Sequence, residues 1–278
     1  MKNSFSLPRQ ARQKTPLIIS SIIITLGVIL FLIFSSFLKI SNIFIYREGS
    51  VINIDQAYGN VDYVRGKNIL FLDTNEIVSR LQKSQRSISS IEFDVDFPNS
   101  LNIHIASYPA IFQTPEHLIL SNGVVVSKDL KEYIGIPHIQ TSENIDNYAI
   151  FGDTLNIADL KNLFNLIKYG KKNILGLDFK QIKYFIKEKE LLLMHSSGTI
   201  LIFDLSHDVT TQIEKLAIYE KEKGNIFDKK YIYIDVRIPE KLFLCSLEFE
   251  YDCRRNMKHI YGESIFEVFE SESSELQQ

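Results

Sequence analysis

The chain has 278 residues, 45% hydrophobic and 23% charged, with a net charge of −3. Lys2, Arg9, Arg12 and Lys14 make residues 1–16 +4, so residues 17–278 carry −7. An acidic body of this kind excludes nucleic acid as a partner, because that affinity comes largely from basic side chains neutralising phosphates.

Residues 17–38 read LIISSIIITLGVILFLIFSSFL, twenty-two residues without a charge between Pro16 and Lys39. As a helix they would cover about 33 Å, enough to cross a bilayer hydrocarbon core of about 30 Å. A cleaved signal peptide would have a shorter apolar region ending in a small-x-small site, whereas Phe31, Phe34 and Phe37 crowd the end of this one. The basic tail places the N-terminus in the cytoplasm and the following residues outside. More than 200 residues remain, enough for two small domains; a single larger one is also compatible with this length.

After the span, Ile43 and Ile45 alternate with polar neighbours as in a half-buried strand. A helical turn is expected near Asp55 to Tyr58. A helix follows Asp73, a capping residue with Glu76 at the reciprocal capping-box position and Ile77, Val78 and Leu81 on its apolar face. Ile91, Phe93 and Val95, the turn Pro98-Asn99, then Leu101, Ile103 and Ile105 give the pattern of a β-hairpin. The order is strand, helical turn, helix, strand, strand.

Beyond Pro109 the pattern is mostly β. Asn122-Gly123 between Leu118–Leu120 and Val124–Val126 predicts a hairpin with a type I′ turn. Ser196-Ser197-Gly198 sits in the same way between Leu191–His195 and Thr199–Phe203. Leu160, Leu163, Phe164 and Ile167 recur at helical spacing before Gly170, a C-cap candidate, and a second helix runs from Asp208 to Gly224. Tyr231 to Arg237 reads as a strand, with Leu242 to Leu244 as its antiparallel successor. From about Asp252 the chain turns polar, as in a disordered tail.

The sequence contains no Gly-rich phosphate loop, nucleophile elbow or zinc-ligand spacing. The histidines at 104, 117, 138, 195, 207 and 259 are scattered, and His104 is expected to face outward. Asp94 and Asp96 share one face of a strand, where solvent exposure explains them without acid–base work. No catalytic, cofactor or metal residue is assigned, and no enzyme activity or small-molecule substrate is expected. Cys245 and Cys253 are the two cysteines; a bridge between them requires the chain to turn back, and two separate thiols are the alternative.

Several strings together resemble the bacterial cell-division family FtsQ/DivIB: the basic tail and anchor, Gly66-Lys-Asn-Ile-Leu-Phe-Leu-Asp73, Phe97-Pro-Asn-Ser-Leu-Asn-Ile-His-Ile105 followed by Pro109-Ala110, and Ile234-Asp-Val-Arg-Ile-Pro239. The sequence departs from the family at Glu48-Gly49-Ser50 and in the stretch from Ser246 to Phe269. The resemblance implies an α+β protein with an N-terminal transmembrane helix, a POTRA domain (β-α-α-β-β) and a mostly antiparallel β domain with helices. The expected parts are a cytoplasmic tail (1–16), the transmembrane helix (17–38), the POTRA domain (39–112), the β domain (113–250) and a polar C-terminal tail (251–278).

It further implies a non-enzymatic scaffold of the divisome, in the inner membrane at the septum with periplasmic domains, joining the single-pass proteins FtsB and FtsL and other division components. In that family the stretch after an Asp-Leu-Arg motif is an edge strand to which FtsB adds a strand, and here Asp235-Val236-Arg237 stands at that motif. The expected partner-binding residues are therefore Arg237, Ile238, Leu242, Phe243, Leu244, Cys245 and Ser246. An exported POTRA-type module of an outer-membrane assembly or secretion system is the alternative reading.

Overall fold

The structure is a computed structural model. It describes residues 11–49, 51–128, 133–173, 179–262 and 265–266; the expected tail residues 1–10, and residues 263–264 and 267–278 of the expected polar tail, lie outside these. The chain divides into two compact units, Met1–Ser107 and Tyr108–Gln278. The expected boundary at 112 moves back because Phe112 is fully buried in the core of the second unit.

In the first unit, helix α1 (Ala11–Phe34) is followed by a 3-10 turn at Ser36–Leu38, capped by the Ser35 hydroxyl. The span expected to reach Leu38 thus ends as a helix at Phe34, and Leu38 is buried in the core of the unit. The described side chains of α1, from Ile19 to Ile33, are all exposed. Among the described residues no helix is long and apolar enough to cross a membrane; the described α1 side chains account for about 22 Å of helix.

Strand β1 (Asn42–Glu48), helices α2 (Ile54–Val61) and α3 (Thr74–Ser84), and strands β2 (Ile88–Asp96) and β3 (Ser100–Ser107) follow in the expected order. The sheet order is β1-β3-β2, with β1 parallel and β2 antiparallel to β3. The alternation seen in the sequence explains the packing: Ile43, Ile45, Leu101, Ile103 and Ile105 point to one face, which α2 and α3 cover with Ala57, Val61, Ile77 and Leu81. Asp73 caps α3 by accepting from the amides of Asn75 and Glu76. The reciprocal half of the capping box is not made, since Glu76 turns its carboxylate to Arg80 at 2.8 Å. His104 faces outward, stacked on Tyr46 with ring centroids 4.8 Å apart.

The second unit opens with a small sheet of β4 (Ala110–Gln113), β5 (His117–Leu120) and β6 (Val125–Ser127). The turn between β5 and β6 is not type I′, because Gly123 alone has positive φ, +82°, while Asn122 does not. Leu120 N–H donates to Val124 O and Gly123 N–H to Leu120 O, the pattern of a three-residue loop with its glycine in the left-handed region.

The main sheet has the order β12-β11-β10-β9-β8-β7. Its strands are β7 (Gln140–Thr141), β8 (Phe179–Phe185), β9 (Glu190–His195), β10 (Ile200–Asp204), β11 (Tyr233–Asp235) and β12 (Phe243–Cys245). It is mixed but, as expected, mostly antiparallel: β8–β9, β9–β10 and β11–β12 pair antiparallel, while β7–β8 and β10–β11 pair in parallel. The parallel pairs need crossovers, which α4 (Asp146–Phe151) with α5 (Ile157–Asn173), and α6 (Val209–Lys223), supply. Helix α5 runs through Gly170, so this glycine is not the expected C-cap, whereas Asp208 and Gly224 cap α6 as expected.

Both faces of this sheet are covered. Leu191, Leu193, Leu201, Phe203 and Ile234 pack with Leu160, Leu163 and Leu166 of α5 and Ile213 and Leu216 of α6. On the opposite face Phe185, Leu192, Ile200 and Ile202 meet α7 (Glu250–Tyr261) and the residues after it, through Met257, Tyr261, Ile265 and Phe266. Residues 250–261 therefore form a packed helix where a polar tail was expected. Cys253, Met257 and Tyr261 recur every four residues and form its apolar stripe.

Candidate functional site

The strand β12 ends the main sheet, pairing with β11 on one side and with no other strand among the described residues. Its register sets Tyr233 opposite Cys245, Ile234 opposite Leu244, and Asp235 opposite Phe243. Alternation sends Leu242 and Leu244 toward the core shared with α5 and α6, where both are partly buried. Phe243 points the other way and is 47% exposed. Ile238 is exposed in the turn before the strand, and Ser246 follows it at the start of the reversal into α7.

That reversal brings the two cysteines together. Cys245 on the edge strand and Cys253 on α7 are bridged, with Cα atoms 6.1 Å apart, and Cys253 is fully buried. Leu247 and Phe249 on the connecting stretch and Tyr251 in the first turn of α7 are exposed, so they and Phe243 supply large apolar side chains on either side of the bridged strand end. The polar character of Ser246 to Phe269 as a whole concealed these three in the sequence.

Arg237 faces inward rather than outward. Its guanidinium donates to Asp235 Oδ1 at 2.9 Å and Oδ2 at 2.6 Å, and its third nitrogen pairs with Glu190 Oε1. The hydrogen bonds to Asp235 hold the guanidinium above its ordinary pKa against the opposing effect of burial. Tyr261 Oη completes the network by donating to Glu190 Oε2 at 2.7 Å, and burial, followed by that bond, pushes its hydroxyl well up. Lys215 of α6 donates to the carbonyls of Val236 and Ile238 at 2.5 and 2.7 Å, fixing the turn that leads to β12. Burial lowers the pKa of this lysine. Of the seven expected residues, Leu242 and Leu244 anchor the strand, Arg237 ties it to β9 and α7, Cys245 is bridged to α7, Ser246 opens the reversal, and Ile238 and Phe243 are presented outward. Glu190, Asp235 and Tyr261 carry no sequence signal linking them, because only the pairing of distant strands brings them together.

Two other polar clusters resemble chemistry without supporting it. Ser206 Oγ and Asp204 both approach the same nitrogen of His207, Nδ1, at 3.2 and 2.7 Å; a relay would need the two opposite ring nitrogens. Glu116, His117 and Asp146 bring ligand atoms within 4.8 Å of one another, but His117 Nε2 is already directed to Asp146 Oδ1 at 3.3 Å. A cation there would have to displace that contact. Compared with models of known protein families and with curated proteins, the chain gives no match.

Proposed function

We propose that this chain is an exported, membrane-anchored docking protein without enzymatic activity, whose edge strand β12 accepts a strand from a partner. Within that class we assign it to the FtsQ/DivIB scaffolds of bacterial cell division: N-terminus in the cytoplasm, α1 in the inner membrane, the first unit a POTRA domain, and the second unit binding an FtsB-type protein at the septum.

The observation that carries this reading is the construction of β12. An unpaired edge supplies backbone donors and acceptors for an incoming strand, and outward side chains beside it supply selectivity. Here the inward residues Leu242 and Leu244, the disulfide to α7 and the Arg237 network hold the strand rigid, while Phe243 faces out. A strand pre-ordered in this way loses little entropy on binding.

The anchor is supported by α1, whose described side chains are exposed and uncharged, with apolar residues on every side. A helix apolar all round belongs in a protein core or a bilayer, and no core covers this one. The POTRA assignment is supported by the β-α-α-β-β order and the β1-β3-β2 sheet.

Expression of a fluorescent fusion of the full chain tests the reading. Midcell accumulation in dividing cells is expected, and a uniform envelope distribution through the division cycle would overturn it in favour of an exported module of another system.

A further inference from the structure

Among the described residues of the first unit, Phe37, Leu70, Phe71 and Phe97 gather exposed apolar side chains at the end of the sheet where the chain leaves α1, apart from the exposed Phe44 and Tyr46 along β1 and Tyr58 on α2. Three separate segments converge there. Phe37, 63% exposed, follows the helix in the Ser36–Leu38 turn. Leu70 and Phe71, 46% and 66% exposed, lie in a second 3-10 turn, Ile69–Phe71. Phe97, 61% exposed, sits in the turn between β2 and β3.

Hydrogen bonds fix all three to the helix exit. Asn68 Nδ2 donates to the carbonyls of Leu32 and Ile33 at 2.8 and 3.1 Å, satisfying acceptors that the last turn of α1 leaves open. Its Oδ1 meanwhile accepts from Leu70 N–H, so the same side chain starts the turn that carries Leu70 and Phe71. Ile40 N–H donates to Lys67 O, and Gly66 N–H to Ile40 O. Phe71 is three residues from Asn68, within about 11 Å of it along the chain. The parallel pairing of β1 with β3 brings the β2–β3 turn to the same end: Ser41 and Asn42 both donate to Asn99 O, and Asn42 stands opposite Ser100. At the far end of the sheet Glu48 stands opposite Ala106, and Ala106 opposite Ser90.

Both 3-10 turns send a neighbour inward, Leu38 and Ile69 being buried, so Phe37, Leu70 and Phe71 are not core residues that lack room. Lys39 and Lys67, both on the exposed surface, lie in the same segments. Amphipathic turns with aromatic tips and basic neighbours suit the boundary between acyl chains and headgroups. We propose that this end of the first unit is seated in the lipid–water interface, with Phe37, Leu70, Phe71 and Phe97 inserted around the exit of α1. This rests on the reading of α1 as a membrane span and goes beyond it, because a span alone leaves the domain free of the surface.

The chain contains no tryptophan, so single replacements act as reporters. The full-length protein is reconstituted into phosphatidylcholine vesicles with and without bromine on the acyl chains, near the headgroup in one set and near the chain end in another, as Phe71→Trp, Phe97→Trp, Leu26→Trp within α1, and Ser90→Trp at the far end of the sheet. Quenching of Phe71→Trp and Phe97→Trp should exceed that of Ser90→Trp by about twofold or more, with blue-shifted emission, as for interfacial aromatics. Quenching of Leu26→Trp with Phe71→Trp and Phe97→Trp both at the level of Ser90→Trp would overturn the proposal while leaving the anchor intact. Loss of quenching at Leu26→Trp as well would overturn the anchor, and the proposal with it. Phe37→Trp replaces either reporter if its circular dichroism departs from that of the parent chain.

Discussion

Tyr261, the last residue of α7, donates its hydroxyl to the same Glu190 carboxylate that pairs with Arg237. One half-buried carboxylate of β9 thereby links the helix that covers one face of the sheet to the residue that precedes the edge strand. Tyr261→Phe keeps the ring against Phe185, 4.9 Å away, but removes the donor. It should lower the stability of the second unit by about 1–2 kcal/mol and expose α7 to proteolysis before global unfolding. Urea denaturation with limited proteolysis checks this; unchanged cleavage of α7 would show that the network does not hold the helix.

The disulfide fastens α7 at its other end. Closing the eight-residue separation between Cys245 and Cys253 should be worth about 2.5 kcal/mol through the entropy of the unfolded chain. A dithiol reductant or Cys253→Ser should therefore lower the melting temperature of the second unit and leave that of the first unchanged. Calorimetry of the full chain, oxidised and reduced, reads both.

Gly123 combines a φ of +82° with a neighbour that leaves no room for a side chain, since a Cβ would lie 2.3 Å from Leu155 O. Leu155 N–H also donates to Gly123 O at 2.9 Å, so the two backbones cannot separate without losing that bond. Gly123→Ala should cost about 2–3 kcal/mol, measured by denaturant unfolding. Gly198→Ala, with a similar φ but open space around it, should cost less.

Asp204 gives the second unit part of its acid sensitivity. Burial alone would raise its pKa, but hydrogen bonds from Ser206 and the contact with His207 outweigh burial and hold it below the ordinary carboxylate value. A depressed folded-state pKa means that the stabilisation is present above the unfolded value of about 3.9 and is lost as pH falls through the folded value. Asp204→Asn should lower stability at pH 7 and flatten its pH dependence in the acid range where Asp204 titrates. Denaturation midpoints at several pH values measure both effects.

The legible parts of the fold were those governed by local pattern. Ile43 and Ile45, the alternating residues on either side of Pro98, and Asp73 ahead of Ile77 and Leu81 each specify an element through period or cap, and those elements are present. The parallel pairing of β10 with β11 was not legible, because it depends on α6 crossing over between strands whose sequences carry no orientation. Helix α7 was hidden by composition: Arg254, Arg255, Lys258 and His259 make the stretch polar on average, while its apolar stripe is only one residue wide. At the edge, alternation along a strand sets Phe243 on the other face from Leu242 and Leu244, but nothing in the sequence around Arg237 points to its partner Glu190, 47 residues away.

Whether β12 is a docking edge is read by the affinity of the full-length protein for the exported domain of an FtsB-type partner. Phe243→Glu changes an exposed side chain and should leave the melting temperature within about 1 °C, as surface substitutions do, while weakening binding by about tenfold or more. Binding of Phe243→Glu at the parental affinity would contradict the account.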